Sequence, residues 1–187
     1  MAYEPEEDSY LLLEHLQKLA YGKVLDMGTG SGILARGAAY RKEVDEVVAV
    51  DVNEEAVENL RKENLEGLRA FKSNLFASIT EKFDVIAFNP PYLPADKDER
   101  DKDVALDGGV HGHELIEMFL HEAKNHLKPD GFILMVFSNR TGKEKVDAAI
   151  KKQGYSFELL EKKGLAFFEE LYVYKISLGK TLAKKKK

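Results

Sequence analysis

Apolar residues recur along this chain with two periods, and the switches between them mark out its elements. Leu12, Leu16 and Leu19 fall at helical spacing, which predicts a helix over Ser9 to Leu19 with Ser9 at its cap or in its first turn. Short apolar runs then alternate with helical patterns. Lys23 to Met27, Glu46 to Asp51, Leu68 to Lys72 and Phe83 to Phe88 read as strands, the last buried on both faces because Val85, Ile86, Ala87 and Phe88 are consecutive. Ile33 to Tyr40 and Glu54 to Asn64 read as the intervening helices, the second entered through Asn53 as a cap. Glu114 to Leu127 carries Leu115, Met118, Phe119 and Ala123 on one stripe. Pro129-Asp130-Gly131 then turns the chain into a strand over Phe132 to Phe137, and Thr141 to Gln153 is a helix closed by Gly154. Ser156 to Leu160 and Leu171 to Ile176 are joined too closely for another helix, so they pair as a hairpin, with Phe167, Phe168, Tyr172 and Tyr174 expected in its core.

Strands alternating with helices imply an α/β fold, Rossmann-like, with a mostly parallel seven-stranded sheet and a C-terminal antiparallel hairpin. Ligands of such sheets bind outside the carboxyl ends of the strands. At 187 residues the chain is expected to be one domain, residues 1–182, followed by a Lys-rich solvated end at 183–187. No apolar run approaches a membrane span, and the acidic start Glu4, Glu6, Glu7, Asp8 is the opposite of a signal peptide. A cytoplasmic location is the expectation. The absence of cysteine fits that compartment and excludes thiolate metal sites from the chain. A net charge of −5 argues against a whole-surface nucleic-acid binder.

Two loops at strand ends are too unusual to be mere connections. Gly28-Thr29-Gly30-Ser31-Gly32 places a glycine at every second position, whereas the dinucleotide fingerprint wants its third glycine where Ile33 stands. NAD is therefore disfavoured. Asp26 sits at the end of the preceding strand, available to a cationic or hydroxyl-bearing ligand, and Asp51 ends the next strand, where an acidic residue hydrogen-bonds ribose hydroxyls. A ligand with an ammonium group, a ribose diol and an adenine but no pyrophosphate meets these features: S-adenosylmethionine, and with it the class I methyltransferases.

The second loop is Asn89-Pro90-Pro91-Tyr92. Proline cannot donate to a sheet ladder, and the residue before it is held away from the helical region, so the strand stops and the loop is stiff. The Asn89 side-chain oxygen and the Pro90 carbonyl are acceptors for the N–H groups of an amide or amine, and Tyr92 offers a face to stack on it. The charged stretch Asp96 to Asp103, within a long loop, reads as a lid or substrate-facing segment. His111 and His113 flank Gly112, but no third ligand has metal spacing.

Asp26-x-Gly28-x-Gly30-x-Gly32, Asp51 and Asn89-Pro90-Pro91-Tyr92 resemble the HemK family of glutamine-N5 methyltransferases acting on class I translation release factors. Tyr3-Glu4-Pro5-x-Glu7-Asp8-Ser9-Tyr10-Leu11-Leu12-Leu13 and Asp107-Gly108-Gly109-x-x-Gly112-x-Glu114 resemble its short archaeal and eukaryotic branch. The resemblance implies that Ser9, Asp26, Gly28, Gly30, Gly32, Asp51, Asn74, Leu75 and Asn89 hold S-adenosylmethionine and that Asn89, Pro90, Pro91 and Tyr92 serve catalysis, with no metal. Asn74 departs from the family's usual aspartate, leaving an uncharged acceptor for adenine. The helical domain of longer relatives is not recognisable here. The branch also implies a small zinc-binding activator protein, for which the strand Leu68 to Lys72, an edge with Leu65, Leu68 and Phe71 as anchors, is the expected dock. Enzymes methylating exocyclic amines of nucleobases share the Asn-Pro-Pro-Tyr motif and remain an alternative, as does a silent cofactor-binding module, against which the intact motif argues.

Overall fold

The computed structural model describes residues 6–91 and 113–179. Tyr3 to Pro5, Tyr92, the Asp96 to Asp103 stretch, Asp107 to Gly112 and the Lys184 to Lys187 run lie outside them. Among the described residues, five helices and seven strands follow one another as α1 (Glu7–Leu19), β1 (Gly22–Met27), α2 (Ile33–Ala39), β2 (Val44–Asp51), α3 (Glu54–Lys62), β3 (Leu68–Lys72), β4 (Phe83–Phe88), α4 (Glu114–His126), β5 (Leu127–Ser138), α5 (Lys143–Lys152), β6 (Tyr155–Gly164) and β7 (Glu170–Leu178). Short 3-10 turns occupy Asn139–Thr141 and Ala166–Phe168.

The strands form one sheet in the order β3-β2-β1-β4-β5-β7-β6. The first five run parallel, while β7 is antiparallel to both β5 and β6. The period-2 alternation of side chains splits the core into two layers. Leu25, Met27, Val48, Val50, Ile86, Phe88, Ile133, Met135 and Tyr174 point to one face, where Ile116, Phe119 and Leu120 of α4 and Val146 and Ile150 of α5 cover them. Val24, Val47, Ala49, Val85, Ala87, Leu134 and Val173 point to the other, beneath Leu12 and Leu16 of α1, Leu34 and Ala38 of α2, and Val57 and Leu60 of α3. Asn53 caps α3, its side-chain oxygen accepting from the Glu55 N–H at 2.9 Å.

Successive strands step from β1 through β2 to β3 on one side, and β4 returns to the opposite side of β1. That reversal opens a crevice between the carboxyl ends of β1 and β4. Register fixes what meets there: Met27 is level with Val50 of β2 and with Phe88 of β4. The residues one step beyond these three are Gly28, Asp51 and Asn89.

Two expectations require correction. The Pro129-Asp130-Gly131 segment does not precede the strand but is a bulge inside it. Phe83 pairs with Leu127, yet Val85 already pairs with Phe132, so the extra residues of β5 loop out against β4. Close approach explains Gly131: a Cβ there would lie 2.8 Å from the Asp84 carbonyl oxygen and 2.9 Å from that of Phe83. The hairpin, in turn, is longer than its apolar runs suggest, and of the four aromatic residues expected in its core only Tyr172 and Tyr174 are buried. Phe167 and Phe168 stand at its tip, 90% and 97% exposed. The chain reverses there through the Leu165 N–H donating to the Glu169 carbonyl at 2.7 Å, with both phenylalanines in the left-handed region, φ 57° and 62°. For a bulky L-residue that conformation costs about 1–2 kcal/mol.

Gly131→Ala should destabilise the protein by about 1–3 kcal/mol, because backbone carbonyls rather than flexible side chains oppose the added methyl. Urea unfolding measures it, and a loss below the error of extrapolation would refute the close-approach account.

Candidate active site

A cavity of about 490 Å³ opens at the crevice. Its wall includes Gly28, Gly30, Asp51, Asn74, Leu75, Asn89, Pro90 and Pro91, together with Ser9 from α1. Residues from five separate parts of the chain thus converge. The structure brings Asp26 and Gly32 close behind this wall rather than onto it.

The glycine loop is built by two carboxylates. Asp51 ends β2, and its Oδ2 accepts from the Gly30 N–H at 2.8 Å while Oδ1 accepts from the Asn53 N–H at 2.8 Å. It therefore holds the loop and the start of α3, and each oxygen retains a lone pair for a ligand hydroxyl. Asp26 is buried, its Oδ2 taking the Thr29 hydroxyl at 2.7 Å and the Ala35 N–H at 3.0 Å. Its Oδ1 is also buried and has no partner. Burial pushes the Asp26 carboxyl up to about 6, against the Thr29 and Ala35 donors that favour ionisation. Gly28 needs its φ of +68°, and a Cβ there would meet only the Phe88 ring edge, at 4.0 Å. The space beside it is room for a ligand. Gly32 adopts a φ of +78°, and a Cβ there would come within 2.9 Å of the Leu60 side chain on α3.

Across the crevice, α1 determines how Asn89 points. The Asn89 Nδ2 donates to the Ser9 hydroxyl oxygen at 3.0 Å. This bond spans 80 residues of sequence and turns the amide so that Oδ1 is the free end, buried and without a partner. An orphaned buried acceptor is expensive, so a donor is expected to reach it when the site is filled.

Several residues of the site escaped the sequence reading. Glu6 and Asp8 line the cavity beside Asp51, and no lysine or arginine does so among the described residues. Ser73 shapes the wall at Leu75, which has φ 45°: its hydroxyl donates to the Leu75 carbonyl at 2.7 Å and accepts from the Ser78 N–H at 3.0 Å. Thr29 could have been found as the hydroxyl inside the glycine loop three residues after Asp26. Leu115, at the start of α4, carried no signal.

A cavity lined by carboxylates and bare glycine backbone suits a cationic ligand and repels a pyrophosphate. The orphaned Asp26 oxygen beneath it, the two lone pairs left on Asp51 and the volume fit S-adenosylmethionine, with its sulfonium, ammonium and ribose diol. Fold and crevice together define a class I methyltransferase. The family described as Methyltransferase small domain matches residues 3–165, and the chain belongs to it. It is an S-adenosylmethionine-dependent enzyme. A protein of Methanocaldococcus jannaschii, provisionally named a protein N5-glutamine methyltransferase, is 39% identical over 178 residues, covering 91% of this chain and 89% of its own. A release factor glutamine methyltransferase of Deinococcus radiodurans is 34% identical over 161 residues, covering 80% of this chain but 57% of its own, so this chain spans little more than half of that relative. Among solved structures, the E. cuniculi Mtq2-Trm112 complex, described as responsible for methylation of the eRF1 translation termination factor, superposes with a TM-score of 0.74 at 28% identity, covering 95% of this chain and 99% of that one. No helix among the described residues is long and apolar enough to cross a membrane.

The Asp26 geometry sets a pH dependence. A carboxyl whose folded pKa lies near 6, above the 3.8 of the unfolded chain, favours the folded state fully below about pH 4 and progressively less as pH rises through 6. The unliganded protein should lose roughly 3 kcal/mol of stability from this group between those limits. Denaturant unfolding at pH 5 and pH 7.5 should show the slope in the wild type and a flatter one in Asp26→Asn. Equal slopes would show that Asp26 is not the titrating group.

Proposed function

We propose that this chain transfers a methyl group from S-adenosylmethionine to the side-chain amide nitrogen of a glutamine, in the Gly-Gly-Gln loop of a class I translation release factor, and that it works with a small zinc-binding activator protein. The observation that carries the reading is the Asn89 amide, tied by its nitrogen to Ser9 and left with a buried, unpartnered oxygen at the cavity wall. The Deinococcus radiodurans, Methanocaldococcus jannaschii and E. cuniculi relatives support it by what they are named for.

An amide nitrogen is a poor nucleophile because its lone pair is delocalised into the carbonyl. When bound, the cofactor supplies a methyl group activated on a positively charged sulfur. On this reading the Asn89 Oδ1 accepts one N–H of the substrate amide and the Pro90 carbonyl the other. These two acceptors polarise the N–H bonds and fix the angle at which the nitrogen presents its lone pair, and the nitrogen that gains the methyl gives up one of its N–H protons to solvent, which leaves the product amide neutral. Ser9 keeps the Asn89 amide from rotating. Pro90 and Pro91 stiffen the backbone that carries both acceptors, and the carboxylates Glu6, Asp8 and Asp51 give the cavity the negative potential that a cationic cofactor requires. Asp26 and the glycine loop hold the cofactor side of the crevice. Tyr92, Asn74 and Leu75 complete the assignment, Tyr92 as a stacking face and Asn74 as an uncharged acceptor at the adenine.

The activator docks, on this reading, along β3. Among the described residues that strand pairs only with β2 and ends the sheet, and Leu65, Leu68 and Phe71 are half-buried beside it. A bare edge with apolar anchors is a template for strand addition. Arg69, which could guard the edge, is drawn back onto Glu46 and Glu81, both at 2.6 Å.

Labelled S-adenosylmethionine, incubated with a class I release factor, with the same factor lacking its Gly-Gly-Gln glutamine and with ribosomal RNA, should label only the first. Incorporation into RNA alone would overturn the amide reading. Asn89→Ala should lower kcat by on the order of 10²-fold or more with cofactor affinity little changed, and retained turnover would remove Asn89 from the mechanism. In sizing chromatography after co-expression with an activator, Phe71→Glu should elute alone where the wild type elutes as a complex. Equal co-elution would place the dock elsewhere.

A further inference from the structure

The tip of the β6–β7 hairpin is the surface the mechanism leaves unused. We infer that Phe167 and Phe168 form an apolar anchor that docks the folded protein substrate beside the cavity, an inference that rests on the glutamine-methylation reading above.

Position comes first. β7 begins opposite the end of β5, Leu171 pairing with Ser138, so the hairpin turns at the carboxyl edge of the parallel strands, the edge on which the cavity opens. Two or three strand spacings separate it from the end of β4, roughly 10–15 Å across the sheet. The connection is also direct through α1: Lys163, near the tip, pairs with Glu7 at 3.1 Å, two residues before the Ser9 that orients Asn89. A small acceptor would not span that interval. A protein that inserts one loop into the crevice would.

Rigidity is the second point. The tip is fastened to the end of β5, not left as a free loop. Asn139 Nδ2 donates to the Phe168 carbonyl at 3.0 Å and its Oδ1 accepts from the Glu170 N–H at 3.1 Å. The Ser138 hydroxyl donates to Glu169 at 2.7 Å, and Arg140 pairs with the same carboxylate at 3.1 Å. These bonds hold two adjacent phenylalanines in a backbone conformation that asparagine or glycine would adopt with less strain, while neither ring covers any core. Strain maintained at an exposed aromatic pair, where it brings no burial, points to use. Rigid aromatic side chains are the commonest anchors of protein interfaces.

Charge decides the class of partner. Exposed aromatics could also stack on bases, but such platforms lie in positively charged grooves. Here Arg140, Lys162 and Lys163 are each engaged, with Glu169, Glu170 at 2.7 Å and Glu7 respectively. The neutral surround favours an apolar depression on a protein over a phosphate backbone.

Phe167→Asn/Phe168→Gly tests this, because both replacements suit the left-handed backbone and should leave the melting temperature equal or higher. The double variant and wild type, each co-expressed with the activator, are compared in steady-state methylation of a full-length class I release factor. The expected result is a KM for the release factor raised at least tenfold, with kcat at saturation and S-adenosylmethionine affinity unchanged. An unchanged KM overturns the inference and leaves the glutamine reading standing. So does a loss confined to kcat, which would make the tip part of the catalytic machinery, or loss of the activator complex on sizing, which would make it that partner's contact. A wild type that methylates RNA and no release factor defeats both readings together.

Discussion

The parallel register of three adjacent strands is the constraint on which the site depends. Because Met27 is level with both Val50 and Phe88, the chain leaves the sheet at Gly28, Asp51 and Asn89 on a common line. Each departing residue is of a type that a sheet interior rejects: a glycine with positive φ, a carboxylate and an asparagine before proline. Their functional groups are therefore concentrated along one edge, while the strand segments behind them, Asp26 of β1 excepted, are apolar and buried. A shift of one residue in either pairing would send alternate side chains to the wrong layer, so core packing enforces the geometry of the crevice.

The opposite edge, at the amino ends of the strands, is organised differently. Asp84 takes the Lys23 N–H at 2.8 Å and the Lys128 ammonium at 2.6 Å, and Lys23 in turn joins Glu46 and Glu81. These charges satisfy one another near solvent, where each pair contributes little. Toward the cavity, by contrast, polar groups are buried and incompletely matched: Oδ1 of Asp26 and Oδ1 of Asn89 have no hydrogen-bond partner among the described residues. Polar groups are satisfied at one end of the sheet and hydrogen-bonding capacity is left unmet at the other, as expected where binding rather than folding supplies the missing contacts.

The fold was legible because its strands and helices are written in local periodicity, and the glycine loop and the Asn-Pro-Pro run because glycine and proline constrain the backbone by themselves. What periodicity cannot carry is contact between distant segments. The Ser9 to Asn89 bond could be inferred only as a shared membership of the site, since nothing in either neighbourhood states which end of the amide the hydroxyl receives. Gly32 read like its neighbours although it packs against Leu60, because spacing does not distinguish a glycine that admits a ligand from one that admits a helix. Phe167 and Phe168 were misplaced for a similar reason. Aromatic residues near strand ends are usually core, and the reversal at Leu165 to Glu169 that turns them outward depends on Asn139 and Ser138, some thirty residues earlier in the chain.

The bond between Ser9 and Asn89 has a consequence of its own. A side-chain carboxamide stands at the wall of a cavity built for a methyl donor, and on the proposed function a carboxamide is also the acceptor. The Asn89 nitrogen is turned toward the Ser9 hydroxyl, while its oxygen is buried without a partner. One hydrogen bond from α1 thus decides which end of that amide is spoken for and which is left unmet.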